Sequence, residues 1–445
     1  MDRIDLATLD RDVRAAAQGL EQFRARLATE DGRASGGDPF AGLRHVATRQ
    51  THRALLELEP SLHEIPLRDG LVRWVYELLQ ARIGLDLELA DAEAMHREDD
   101  RVPKRARDDA PAKTYAEAWS RVLATDPSRG ALERAADLAP SVAAVRKERR
   151  ARRFEAARRL DLPRPDALAM TTELDASALL DRTEALAKDL VREARRTHEG
   201  SWTAASAMHL ALAEDAREGW PAKLTARWLR EAFRALASRD VLGKRELPVP
   251  LGGATFLRGA ATWGFALRSA GVPRSLPFAL ASDPYPTSAH RFAAAAASAV
   301  AEPSFQRRVL GASARVASAQ SRALRRSLLF ATRLAAARHL IAAREDVDAT
   351  LFEELTVRLF GVPMPAALAG AWPPPRIDDS ARFAAVLGAH AFVRALVDRF
   401  DEDWFANPRA GAHLAQMAAA PAFDADPPEK QAPIALARAF EEALG

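Results

Sequence analysis

The sequence predicts an all-α protein, with at most a small β hairpin near residues 247–283, and three observations carry that prediction. Apolar residues make up 48% of the 445 positions, and Ala and Leu dominate them over Val and Ile, which favours helix over strand. Over long stretches the apolar positions recur every three or four residues, the spacing of one helix face. Pro, Gly and Asp close most of those stretches, where helices end. A charged fraction of 28% completes a globular composition, and this length accommodates a large core.

In chain order, Leu6, Leu9, Val13, Ala16, Leu20, Phe23 and Leu27 form a single apolar seam, which predicts a long N-terminal helix over 1–30. GRASGGDPFAG then supplies turn residues, so 31–41 reads as a linker ahead of one large helical domain over 42–445. Helical spacing resumes from Leu43 to Met95, punctuated by Pro60 and Pro66, with Leu71, Val72, Trp74, Val75, Leu78 and Leu79 marking a buried helix. The charged, proline-bearing run at 96–112 reads as an exposed loop. Helices are expected over 115–123, 129–138, 141–160, 167–170, 176–196, 203–217 and 223–237. LPVPLGG and SLPFALASD are short and Pro-bounded, which places the small hairpin between 247 and 283. Helix returns afterwards, broken last by PAALAGAWPPPRID, and no repeat of fixed period marks a solenoid.

Several classes of chemistry drop out. The chain has no Cys, which removes disulfides, thiolate zinc sites and cysteine nucleophiles. It is charged from its second residue, without the apolar core of a secretory signal, so a cytoplasmic location is expected. Arg interrupts runs such as FLRGAATWGFALRSAGV before they reach the roughly 20 residues that cross a bilayer, so no membrane partner is expected. The pI of about 9.4 overstates the basic character, since 64 Lys and Arg face 61 Asp and Glu. Phosphate-binding glycine loops and a GxSxG elbow are absent.

Zinc hydrolysis needs two His one helical turn apart, a third ligand and a carboxylate to activate water. HE occurs at His63-Glu64 and His198-Glu199, in each case without a His at the fifth position, so both read as ordinary surface pairs. His209, His339 and His390 sit in apolar helical contexts and read as core histidines. Asp378 and Asp379 precede a helix and read as its cap. The run Arg146, Lys147, Arg149, Arg150, Arg152, Arg153, Arg158 and Arg159 invites an anion- or nucleic-acid-binding reading, with Arg149, Arg150, Arg152 and Arg153 at its centre. Those positions circle the helix, Glu148 and Glu155 interleave, and only Phe154 offers a stacking surface, so a solvated charged helix is the stronger reading and a nucleic-acid partner is not favoured. Arg315, Arg322, Arg326 and Arg333 fall at steps of seven, four and seven and form a stripe, either solvated or lining a cleft.

Four segments carry a family resemblance: AVRKERRARRFEAARRLDLPRPDALAMTTELDASALLDRTEALA from Ala144, GWPAKLTARWLREAF from Gly219, RALRRSLLFATRLAAARHL from Arg322, and RFDEDWFANPRAGAHL from Arg399. Together they resemble the helical zinc oligopeptidases of the thimet-oligopeptidase and angiotensin-converting-enzyme type, most closely at Trp404, Asn407, Pro408, Ala410 and Gly411. The resemblance implies a large helical peptidase-like domain whose HExxH helix falls at SAHRFAAAAASAV, from Ser288. His290 then stands at the first ligand, Arg291 replaces the catalytic Glu, and Ala294 replaces the second His. No Asp or Glu lies between Glu302 and Glu345 to supply the third ligand, and Phe383 stands where active relatives place a Tyr. What the resemblance implies is a vestigial site at His290, Arg291 and Ala294 holding no metal and no cofactor. The expectation is a catalytically inactive, zinc-peptidase-like protein that binds a peptide or protein partner, with a related subunit as one such partner. The alternatives are an active metallopeptidase with a non-standard zinc site around His290, and nucleic-acid association through the helix at 146–159.

Overall fold

The computed structural model describes residues 4–29, 37–102, 111–123, 130–169, 173–198, 200–209, 225–237, 240–243, 245, 247, 251–423 and 427–445. The described residues hold nineteen α-helices joined by turns and short 3-10 segments, and no strand. At the N-terminal end α1 (Leu6–Thr29) buries all seven apolar residues of its seam. It packs on α3 (Ile65–Ile83), beside α2 (Arg49–Glu57), which Thr48 caps by accepting from the Thr51 amide at 3.1 Å. Phe40, inside the expected linker, is fully buried in this N-terminal core, while 31–36 lie outside the described residues.

The chain continues through α4 (Leu85–His96), α5 (Tyr115–Val122) and α6 (Ala131–Arg158). Of the loop expected at 96–112, residues 103–110 lie outside the described residues. Sequence spacing splits α6 at Pro140, but the helix runs through it. Proline removes only one donor from the ladder, and Ala135, Ala136, Ala139 and Val142 bury one continuous face on both sides of it. The opposite happens at 176–196, where one expected helix is two: α7 (Ala176–Arg182) and α8 (Glu184–Thr197). The buried Arg333 guanidinium donates to the Leu180 carbonyl at 2.9 Å, drawing it out of the helical ladder, and to Thr183 Oγ1. Next come α9 (Ala204–Met208) and α10 (Ala226–Ala232); of the helices expected over 203–217 and 223–237, residues 210–224 and 238–239 are outside the described set.

Of the small hairpin allowed at 247–283, no strand is present among the described residues. The described part of that segment holds α11 (Gly253–Gly271) and the short α12 (Phe278–Ala281). Glycine permits close helix packing here, since a Cβ on Gly264 would sit 2.3 Å from the Phe292 carbonyl oxygen. The remaining helices are α13 (Thr287–Val300), α14 (Pro303–Arg308), α15 (Ala314–Ala342), α16 (Ala349–Phe360), α17 (Asp379–Phe400), α18 (Pro408–Ala418) and α19 (Ala432–Leu444). α13 packs most extensively against α11 on one side and α17 on another, and α17 in turn meets α15 and α19. Among the described residues α17 is the one helix long and apolar enough to cross a membrane by length and composition, and here it is a central packing element.

Two expected outcomes test this architecture. Arg333 is 2% exposed and ties α15 to both halves of the broken helix, so Arg333→Ala should lower the free energy of unfolding by about 3 kcal/mol in denaturant titrations. His52 is 2% exposed with neither ring nitrogen hydrogen-bonded, and burial lowers its pKa from 6.5 to about 4. The folded state therefore binds the proton less well than the unfolded state, and stability falls as pH drops from 6.5 to 4. Wild type should lose about 3 kcal/mol more than His52→Leu across that interval, measured by urea unfolding at each pH.

Candidate functional site

On a helix, residues three, four and seven apart share a face. On α13 that geometry turns His290, Ala294, Ala297 and Ala301 toward one large cavity, together with Ala293 and Ser298. The cavity measures about 960 Å³ and lies between α13, α15, α17 and α19, with Leu257 and Ala261 of α11 on its wall. Leu328, Ala331 and Ala335 of α15 and Val386, Ala389 and Val393 of α17 supply most of the remaining apolar surface. The cavity exists because α13 presents alanines here; larger side chains at those positions would fill it.

The cavity wall also carries charge, part of it paired within the chain. Arg325 reaches Glu302 at 2.8 Å, and burial raises the Glu302 carboxyl against the pull of that arginine. Arg338, buried, holds Asp379 at 2.6 Å and the Pro374 carbonyl at 2.6 Å. His290 Nε2 lies 2.8 Å from Asp378 Oδ2, and the same carboxylate oxygen accepts from Arg382 Nε at 2.9 Å. Burial lowers the His290 pKa against the hydrogen bond to Asp378, so the ring is neutral and donates from Nε2. Burial pushes Asp378 up, but His290 and Arg382 together hold its carboxyl well below the usual carboxylate range. Asp378 and Asp379 were expected to cap α17; instead their side chains reach α13 and α15, and no side-chain cap bond forms at that end. The aspartates were visible in the sequence, but their partners lie 88 and 41 positions away.

The three residues of the vestigial motif separate. His290 and Ala294 line the cavity one turn apart, whereas Arg291 lies against Gly388 of α17, whose Cβ would come 3.0 Å from Arg291 Nε. One face of α13 thus offers a single imidazole, and that imidazole is committed to a carboxylate that also holds an arginine. Among the described residues no three His, Asp or Glu side chains converge within metal-binding reach. This donor set does not fit a zinc ion, and no hydroxyl hydrogen-bonds to His290 among the described residues, so nothing here activates a nucleophile through it.

The other expected residues divide between wall and scaffold. Phe383 is fully buried and stacks on His339 with ring centroids 5.2 Å apart, so it belongs to the core. Trp404 is buried and borders the cavity. Asn407 accepts from the Arg409 amide at 2.9 Å as the cap of α18, and Pro408 starts that helix where its missing donor costs nothing. A Cβ on Gly411 would sit 2.7 Å from the Ala235 carbonyl oxygen, so glycine there sets the approach of α18 to the segment after α10. The Asn-Pro-Gly signature is accounted for by capping and packing. His339 is a core residue whose Nδ1 lies 2.8 Å from Ser380 Oγ, and Ser380 in turn donates to Asp166, an order of partners that leaves no activated hydroxyl. His209 is half-buried, and His390 sits on the cavity wall and not in the core.

The basic run on α6 is consumed largely by carboxylates. Arg146 pairs with Asp91 at 2.8 Å, Lys147 with Asp346 at 3.2 Å, Arg149 with Glu88, and Arg152 with Asp86 at 2.7 Å. Arg153 approaches Glu77 at 3.8 Å, and Arg158 and Arg159 both reach Glu155. In the stripe on α15, Arg322 and Arg326 share Glu193, while Arg333 is buried.

No protein-family model and no curated protein matches the sequence. Among solved structures, the crystal structure of oligoendopeptidase-F from Enterococcus faecium is similar over 99% of this chain and 97% of that chain, at 11% identity and a TM-score of 0.45.

If Asn407 and Gly411 act through structure alone, their substitution moves stability. Asn407→Ala should cost about 1 kcal/mol of unfolding free energy as a lost cap. Gly411→Ala should cost about 1 to 3 kcal/mol through overpacking. Both are measured by chemical denaturation, with the metal content of the purified protein unchanged.

Proposed function

We propose that this chain is a catalytically inactive, peptidase-like helical protein that binds a peptide segment in its central cavity, as a scaffold or binding subunit. The observation that carries this reading is the cavity face of α13: one imidazole tied to Asp378, followed by alanines, opening onto about 960 Å³. A zinc hydrolase would need a second His on that same face and a carboxylate free to activate water; Ala294 and the paired Asp378 supply neither. The space itself is at the upper end of ligand-pocket volumes and has room for several residues of an extended chain. Small apolar walls suit side chains of varied size, and the paired charges along them offer hydrogen-bonding partners for a peptide backbone. The charge pairing along α6 favours this reading over nucleic-acid association, because a polyanion would have to displace intramolecular carboxylates.

The deciding experiment incubates the purified, unchelated protein with a random hexapeptide mixture and identifies retained peptides by mass spectrometry, beside elemental analysis and a fluorogenic cleavage assay with added zinc. Retained peptides, lost in an Ala297→Trp variant that fills the cavity, together with no cleavage, are expected. Stoichiometric zinc with chelator-sensitive cleavage would establish a metallopeptidase with an unorthodox site instead, and absence of any retained peptide would defeat the binding reading.

A further inference from the structure

A second, smaller pocket of about 70 Å³ lies between α6, α15 and the segment leading into α17, ringed by Arg146, Arg149, Arg150, Arg153, Arg338 and Arg376. Four of these guanidiniums are engaged: Arg146 by Asp91, Arg149 by Glu88, Arg153 near Glu77, and Arg338 by Asp379. The engagement is thin, because Arg24 also reaches Glu77 and Glu88, so three guanidiniums share two carboxylates. Arg150 and Arg376 make no ion pair and no side-chain hydrogen bond among the described residues. The two carboxylates on the pocket wall are already taken, Asp379 by Arg338 and Asp166 by Arg164 at 3.0 Å and by Ser380. Asp346, whose charge acts most on Arg150, is itself paired with Lys147. Burial lowers the pKa of both Arg150 and Arg376, against the pull of Asp346 on the first and of Asp379 and Asp378 on the second.

Guanidinium groups are planar forks matched to the oxygens of carboxylates and phosphates, and an uncompensated set of them in a small pocket is stabilised by such an anion. The volume agrees: at about 30 Å³ per water the pocket has room for two or three waters, which suits one small oxyanion group and nothing larger. Its wall is also continuous with the large cavity, since Arg338, Arg376 and Asp379 border both. We propose that this pocket is an oxyanion site, in which Arg150 and Arg376 together hold one phosphate or carboxylate group, either free or carried by a molecule lying in the central cavity. Two arginines 226 positions apart in sequence line it, one from α6 and one from the proline-rich break before α17.

The test is isothermal titration calorimetry of inorganic phosphate into the full-length protein, with chloride as the matched-ionic-strength control. Saturable binding of one phosphate per chain is expected, weakened about tenfold by Arg376→Gln and by Arg150→Gln, and unchanged by Arg152→Gln, whose side chain is paired and outside the pocket. Arg376 is exposed, so its variant tests the site even if Arg150→Gln misfolds. Competition by acetylated tetrapeptides with a free C-terminal carboxylate, but not by their amides, would identify a peptide end as the source of the anion; competition by phosphate and sulfate alone would identify a free oxyanion. Ala297→Trp separates this site from peptide binding in the cavity, since it should abolish peptide retention and leave phosphate binding intact. No saturable heat above chloride, or equal phosphate affinity in wild type and Arg376→Gln, would overturn the proposal.

Discussion

Buried guanidinium groups have to find acceptors, and in this almost entirely helical interior the acceptors at hand are carboxylates and the unsatisfied carbonyls at helix ends. Arg268, 2% exposed, donates to the Ala418, Ala420 and Pro421 carbonyls at 3.0, 3.1 and 2.6 Å, closing the C-terminal end of α18 from α11. Arg333 does the same for the end of α7 and adds the Arg358 carbonyl of α16 at 2.8 Å. Arg146 reaches the Ala371 carbonyl and Arg338 the Pro374 carbonyl, so both pin the break before α17 to long helices. Each of these ties joins separate segments of the chain, and those of Arg268 and Arg333 place a positive group where the helix dipole is negative. Alanine-rich helices bury little area per residue, and the arginine ties set their mutual placement where packing alone specifies little.

The cavity follows from that framework. α11 and α13 come into close contact because Gly264 carries no side chain, which settles α13 against α11 on one face and leaves its alanine face opposite α15. Arg338 and Arg382 then fix Asp379 and Asp378 at the head of α17, and Asp378 takes up the one imidazole that α13 turns inward. An ordinary helix start has become a junction of three helices. The same arginine-rich surroundings leave Arg150 and Arg376 without partners, so the structural ties and the proposed oxyanion site draw on one population of side chains.

Much of this was legible in the sequence. The seam of α1, the start of α5 at Thr114 and the helix around Leu71 to Leu79 all follow from spacing, and the structure forms them. The breaks were less legible. Pro140 reads as a boundary but lies inside α6, while Thr183, an unremarkable residue in the sequence, marks a true break because Arg333 competes for its turn. The close helix contacts made at Gly259, Gly264 and Gly271 of α11 carried no signal in the sequence. At the site, the expectation that Ala294 stands where a second His would be came from the family resemblance, and the structure places His290 and Ala294 on one cavity face. The partners of His290 and the unpaired state of Arg150 were not legible, since Arg149, Arg150, Arg152 and Arg153 are chemically alike until carboxylates from other segments reach three of them.

By itself the sequence determined the all-helical class, the face of each long helix that turns inward, and the lack of a second His one turn after either His-Glu pair. These are matters of period and residue type within a single helix, and backbone geometry fixes them locally. Only the tertiary structure decided that Asp378 and Asp379 hold His290 and Arg338, that Phe383 belongs to the core, and that Arg150 and Arg376 line one pocket. Ion pairing and cavity formation depend on which segments approach within a few ångströms, and with 64 basic and 61 acidic side chains available, the choice of partner rests on the packing of the whole chain.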